Sequence, residues 1–370
     1  MYPGHKGYLY LKYGFIFLKS KLFHIKLYTI CTCHKHQPIQ LNMIRLLLVA
    51  LSLPIIVSFG CKKKSPAEVP VVIPYPEGLS TNYVAVNGIN RKYLVYRPAG
   101  LTAVKSVVMV LHGGGGAGLT VAEPGVHPLS VFRNVADTAK FLLVYPEGSP
   151  DVLGSPGWND CRRDDIAGSQ GEDLPFIKSL MDSFRIQLQL TPSNMFLTGT
   201  SNGAIMTYSY SFLYPQTIRA IAISSGNLPL NPEPGLCTTG SSIPLPILIT
   251  HGTLDPAMPA TGGCVANLGG NCTRGEVISQ TATIQYWLQR NGLVNTTPSV
   301  TTFNITTNDA GNVEKRVYSG ANPLVYYVLN GAGHAVPSRT VFSNTTPASG
   351  AQNRDIEYAV EVWQFFRQYQ

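Results

Sequence analysis

The chain has 370 residues, of which 44% are hydrophobic and 13% charged, so it is long and apolar enough to bury a core and is not a disordered chain. Its formal net charge of +8 is unevenly placed: residues 1–64 hold 10 of the 28 Lys and Arg and none of the 20 Asp and Glu. The remainder carries 18 basic against 20 acidic residues and is close to neutral, so no nucleic-acid partner is expected.

The basic excess belongs to a leader. Met43-Ile44-Arg45 is a short basic start, and residues 46–59 form an apolar run of signal-peptide length, too short to span a bilayer. The reading is a signal peptide at 43–60, a true start at Met43, and a non-native N-terminal extension at 1–42. Gly60-Cys61 followed by three lysines resembles a bacterial lipobox, which makes Cys61 a candidate lipid attachment site and gives the chain a membrane partner through that anchor. An ordinary secretory signal is the alternative; both readings send the chain out of the cytoplasm. Cys31, Cys33, His34 and His36 have metal-ligand types, but no second cluster follows at a finger-like spacing, and no metal site is expected. Residues 61–79 read as the lipidated Cys and an extended Pro- and Val-rich tether.

The main folded domain is expected over 80–370. Segments 83–86 and 91–96 pattern as a hairpin about residues 87–90. Segment 106–111 is a continuous apolar run, as expected for a strand covered on both faces. A helix is expected at 131–140, a buried strand at 141–145, a long loop at 146–171 and an amphipathic helix at 173–185. Strands follow at 194–198, 219–224, 245–250, 315–318 and 324–329. Helices are expected at 202–213, 280–290 and 356–368, the last with Ile356, Val360, Trp363 and Phe366 inward. Strands alternating with helices predict an α/β fold with a mostly parallel central sheet and helices on both faces. The cysteines at 161, 237, 264 and 272 are expected to form disulfides in an exported chain. They allow three pairings, with a preference for Cys264–Cys272.

The chemistry centres on Gly199-Thr200-Ser201-Asn202-Gly203, between an apolar strand and a helix. G-x-S-x-G in that setting reads as a nucleophile elbow, because only small residues fit two positions either side of the Ser. A serine needs a base. His334 lies in a Gly-rich loop after the last predicted strand, ahead of the last helix, and is the candidate. His112 opens a Gly-rich run, His251 ends a strand, and His127 has no clear placement. Asp255, just past the strand at 245–250, is the candidate acid that orients the base. The order Ser201, Asp255, His334 is the Ser-Asp-His order of an α/β-hydrolase; Asp164, Asp165 and Asp173 precede the Ser and read as a loop and a helix N-terminus. The run His112 to Gly118 follows a strand as an HGGG-type oxyanion loop does, with Gly114 or a neighbour as one donor and the Asn202 N–H as the other. Gly113, Gly115 and Gly118 also satisfy G-x-G-x-x-G, but a dinucleotide site needs a helix opening at once, and Pro124 and Pro128 follow instead.

Over residues 80–370 the chain resembles the extracellular esterases that include polyhydroxybutyrate depolymerase-like proteins, feruloyl esterases and acetyl-xylan esterases, within the α/β-hydrolase superfamily. The resemblance rests on Leu111-His112-Gly113-Gly114, Tyr145-Pro146-Glu147-Gly148 with Trp158 and Cys161 after it, the helix start at Asp173, the Ser201 elbow, His251-Gly252-Thr253-Leu254-Asp255 and Gly333-His334. It implies ester hydrolysis through an acyl-enzyme with no metal or organic cofactor, on an ester substrate that can be polysaccharide-linked. One departure stands out: many members carry an aromatic and Pro-Gly shortly after the His, where this chain has Ala335-Val336-Pro337-Ser338. A serine peptidase on the same fold and an inactive surface-anchored binding protein are the rival readings.

Overall fold

A computed structural model describes residues 72–162, 172–230, 242–266 and 272–370. The predicted leader, the Cys31–His36 cluster, Cys61, Asp164, Asp165 and Cys237 lie outside them. Contacts divide the chain into units Met1–Pro66 and Ala67–Gln370, and the described residues belong to the second. Among them no helix is long and apolar enough to cross a membrane.

A ten-stranded sheet organises this unit. Its strands in chain order are β1 (Gly78–Val86), β2 (Ile89–Arg97), β3 (Val107–Leu111), β4 (Leu142–Pro146), β5 (Met195–Thr200), β6 (Ala220–Ser224), β7 (Ile247–Gly252), β8 (Ser299–Phe303), β9 (Val313–Tyr318) and β10 (Leu324–Leu329). Across the sheet they run β1-β2-β4-β3-β5-β6-β7-β10-β9-β8. The six from β4 to β10 are mutually parallel, and antiparallel strands flank them on both sides. The helices are α1 (Gly118–Ala122), α2 (Val131–Ala139), α3 (Asp173–Gln187), α4 (Asn202–Leu213), α5 (Gln280–Arg290) and α6 (Tyr358–Phe366).

Strand β3 shows why the apolar runs are continuous. Successive side chains point to opposite faces, and both faces are covered. Val107, Met109 and Leu111 enter a core shared with α3, α4 and α5, while Val108 and Val110 enter a second core with α2 and α6. The expected mostly parallel sheet with helices on both faces is what forms.

Several boundaries and elements differ from the sequence reading. The hairpin is longer than expected, because Asn87 and Gly88 both take positive φ and close a two-residue turn. The end of the expected tether is docked: Ile73 and Tyr75 are buried, and Arg97 donates to the Tyr75 carbonyl. Helix α1 opens directly after the glycine run, where the prolines argued against a helix; it lasts five residues and stops before Pro124. Strand β8 escaped the pattern because four of its five residues are exposed and polar residues dominate it. In α6 the chain enters the helix only at Tyr358; Tyr358, Ala359, Val362, Trp363, Phe365 and Phe366 are buried, Ile356 is buried just ahead of the helix as expected, and Val360 is half-buried. Cys264 and Cys272 form a disulfide, as preferred; Cys161 is also disulfide-bonded.

Candidate active site

Four loops leave the C-terminal ends of parallel strands at one edge of the sheet, the place where α/β folds bind ligands. They follow β3, β5, β7 and β10 and carry His112 to Gly116, Ser201, Asp255 and His334.

Ser201 sits between β5 and α4 with φ 55° and ψ −121°, a conformation that L-residues rarely hold. The turn is tight enough to require its glycines. A Cβ on Gly199 would lie 2.3 Å from the Gly203 carbonyl oxygen, and one on Gly203 would lie 2.3 Å from that of His112. The strain is held in part by the Ser201 N–H, which donates to the Ser224 carbonyl at 3.0 Å.

Ser201 Oγ is 2.8 Å from His334 Nε2, and His334 Nδ1 is 2.7 Å from Asp255 Oδ2. The Asp255 carboxylate is fully buried. Its Oδ1 accepts the N–H groups of Ala257 at 2.9 Å and Met258 at 2.7 Å, which fixes the carboxylate plane and leaves Oδ2 for the imidazole. The carboxylate acceptor requires the proton on Nδ1, so Nε2 is free to accept from the serine hydroxyl. The structure therefore brings together Ser201, Asp255 and His334 in one hydrogen-bonded line.

His251 lies just behind this line. Its Nε2 pairs with the Met258 carbonyl at 3.0 Å and is 4.0 Å from Asp255 Oδ2. Burial pushes its pKa down to about 4, against the opposing pull of Asp255, so the ring is neutral and leaves the carboxylate to His334. His112 is structural in the same sense. Its Nδ1 faces the Gly113 carbonyl at 2.7 Å, its Nε2 accepts the Gly148 N–H at 2.9 Å, and burial lowers its pKa.

The glycine run passes over the elbow. A Cβ on Gly113 would lie 3.3 Å from Ser201 Cβ, and one on Gly114 would lie 3.5 Å from Asn202 Cβ. The N–H groups of Gly115 and Gly116 are engaged with the Pro156 and Gly113 carbonyls, which points to Gly113 and Gly114 as the donors this run can offer a substrate. Asn202 is the first residue of α4, so its N–H has no acceptor within the helix and lies beside the Ser201 hydroxyl.

Sequence reasoning missed how Asn202 uses its side chain. Oδ1 accepts the Trp158 N–H at 2.7 Å, and Nδ2 donates to the Trp158 carbonyl at 2.9 Å and to Asp160 Oδ2 at 2.6 Å. Asp160 pairs with buried Arg162, and the Trp158 indole N–H donates to the His112 carbonyl at 2.8 Å. Asp173, expected only as a helix start, is buried: it pairs with Arg91 at 2.6 Å and accepts the Asn159 N–H at 2.8 Å. The long loop after β4 is thereby tied to the elbow and to the glycine run after β3. The sequence signal for this was faint, a Trp and two charged residues in a Gly- and Pro-rich stretch.

A cleft of about 350 Å³ opens over Ser201 and His334, walled by the glycine run, α1, His127 and the segment after His334. Residues 99–267 match the phospholipase/carboxylesterase family model. The chain has the α/β-hydrolase fold, and the match to this model spans a little under half of it. Its relatives include the poly(3-hydroxyalkanoate) depolymerase C of Paucimonas lemoignei, 26% identical over 67% of this chain and 59% of that one. The feruloyl esterase C of Emericella nidulans is 27% identical over 59% of this chain and 73% of its own. The acetylxylan esterase of Coprinopsis cinerea is 27% identical over 43% of each chain. The chain thus spans about three fifths of the depolymerase's length, and the resemblance to these esterase groups read from the sequence is borne out. The chain order Ser201, Asp255, His334 is the order in which this fold carries a serine, an acid and a histidine.

Proposed function

We propose that the chain is a serine carboxylic-ester hydrolase working through an acyl-enzyme, with Ser201 as nucleophile, His334 as general base and acid, and Asp255 as the residue that orients it. The observation that carries this reading is the unbroken line Ser201 Oγ, His334 Nε2, His334 Nδ1, Asp255 Oδ2, with both gaps at 2.7–2.8 Å.

The steps follow from that geometry. His334 Nε2 takes the hydroxyl proton as Ser201 Oγ bonds to the ester carbonyl carbon, and Asp255 stabilises the imidazolium that forms. The carbonyl electron pair moves onto oxygen and is met by the N–H of Asn202 and of Gly113 or Gly114. The tetrahedral adduct collapses, the carbon–oxygen bond to the alcohol breaks, and His334 returns the proton to the departing alcohol. Water then repeats the sequence against the acyl-serine and releases the acid. No residue of this scheme calls for a metal or an organic cofactor.

The substrates proposed are plant-polysaccharide acyl esters, feruloyl or acetyl, or short hydroxyalkanoate esters. What supports this is the kinship with esterases named for such substrates. We further propose that the enzyme is exported, with the signal at 43–60 and lipid attachment at Cys61 supported by the basic start, the apolar run and the Gly60-Cys61 pair.

The test is hydrolysis of p-nitrophenyl acetate, methyl ferulate, acetylated xylan and hydroxybutyrate oligomers by the purified chain beside Ser201→Ala. Turnover of any member that is lost in the variant supports the reading and assigns the substrate class. Turnover that survives in Ser201→Ala contradicts it, and activity on peptide amides in place of esters favours the peptidase.

A further inference from the structure

His127 had no assignable place in the sequence, and the structure puts it on the wall of the cleft that holds Ser201 and His334. It precedes the short helical turn Pro128–Ser130 and caps it: Nδ1 accepts the Leu129 N–H at 3.1 Å. A ring nitrogen that accepts from a backbone N–H carries no proton, so in the neutral ring the proton sits on Nε2. Burial, helped by nearby His112, pushes the His127 pKa down to about 4, which keeps the ring neutral near pH 7. The backbone therefore fixes both the tautomer and the orientation of this imidazole, independently of the catalytic line.

The surroundings limit what such a donor can recognise. Among the described residues the cleft is lined by glycines, Thr120, Val121, Val336, Ser343 and others, with no Lys, Arg, Asp or Glu. A neutral donor in an uncharged cleft has nothing to balance a carboxylate or phosphate, and it suits a neutral acceptor oxygen. The ester being cleaved does not need it, because its carbonyl oxygen is served by Asn202 and the glycine run.

We infer that His127 is a specificity-determining residue whose Nε2–H donates to a neutral oxygen of the substrate outside the scissile ester. This rests on the serine esterase reading of the same cleft. Two kinds of substrate supply such an oxygen: a sugar, through its hydroxyl or ring oxygen, and a hydroxyalkanoyl chain, through its hydroxyl or next ester.

The experiment compares kcat/KM within two matched pairs, using the full chain. One pair is a methyl xyloside monoacetate against cyclohexyl acetate, and the other is methyl 3-hydroxybutyrate against methyl butyrate. His127→Asn keeps an acceptor at the position of Nδ1 and so preserves the cap, but it does not reach as far as Nε2. His127→Gln places an amide N–H near the Nε2 position. In at least one pair, the preference for the oxygenated member falls about tenfold in His127→Asn, the size of one neutral hydrogen bond, and is partly restored in His127→Gln. The pair that responds identifies the source of the oxygen. Preferences within twofold of the parent in both pairs, in an Asn variant with parental Tm, overturn the assignment of His127. Hydrolysis of methyl ferulate or p-nitrophenyl acetate but of none of the four esters overturns the assignment of His127 alone; hydrolysis of none of the six overturns the esterase reading itself, and the role of His127 with it.

Discussion

Asn202 grips both backbone polar groups of Trp158, accepting from its N–H at 2.7 Å and donating to its carbonyl at 2.9 Å. The residue whose N–H is proposed to meet the substrate oxyanion is thus also the clamp on the loop beside it. The backbone N–H survives any substitution, so the two roles separate. In Asn202→Ala the Trp158 N–H and carbonyl lose their partner in a dry environment, at a cost of about 1–3 kcal/mol, while Asp160 keeps its pairing with Arg162. The expected outcome is a lower denaturation midpoint and a kcat reduced about tenfold or more by loosening of the proposed oxyanion site. Equilibrium unfolding and steady-state kinetics on one preparation check both.

Asp255→Asn tests the orientation of the base. The carboxamide can still accept from Ala257 and Met258, so the fold is retained, but its NH2 group favours the wrong tautomer of His334. Turnover is expected to fall on the order of 10³- to 10⁴-fold with little change in Tm. A loss below tenfold would show that Asp255 does not orient the base.

The elbow makes a stability prediction. Gly203→Ala forces a methyl group to within 2.3 Å of the His112 carbonyl, which is backbone and has no room to swing away. Destabilisation of about 3 kcal/mol or more is expected, with loss of activity in whatever folds. Thermal unfolding monitored by circular dichroism measures it, and a parental Tm would contradict the packing described.

Acid should destabilise the fold before the carboxylates titrate. His251 is held neutral, with its pKa pushed down to about 4 from an ordinary 6.5, and His127 behaves alike. Below pH 6.5 the unfolded chain binds protons that the folded chain refuses, so stability is complete above that pH and is lost as pH falls toward 4. His251 alone contributes on the order of 3 kcal/mol to this loss. Urea midpoints should therefore drop between pH 6.5 and 4, and the slope should flatten in His251→Gln.

The parts of this molecule written in local patterns were legible in the sequence. The Ser201 elbow announces itself because sterics demand glycine at 199 and 203 between a strand and a helix. Asp255 and His334 follow from strand ends and chain order, and α4, α5 and β10 have the bounds their apolar spacing predicts. The illegible parts depend on tertiary placement. Nothing near His127 in the chain tells that its ring walls the cleft. Asp173 reads as a surface helix start until Arg91, 82 residues earlier, is seen beside it. Strand β8 is mostly exposed and paired on one edge, so it has no apolar signature to read.

The central claim is that His334 makes the Ser201 hydroxyl a nucleophile, and a fluorophosphonate probe tests it most directly. Intact mass and peptide mapping of the labelled chain should show one adduct, on Ser201, absent in Ser201→Ala and formed at least about 100-fold more slowly in His334→Ala. An adduct elsewhere, or labelling at the parental rate without His334, would contradict the account.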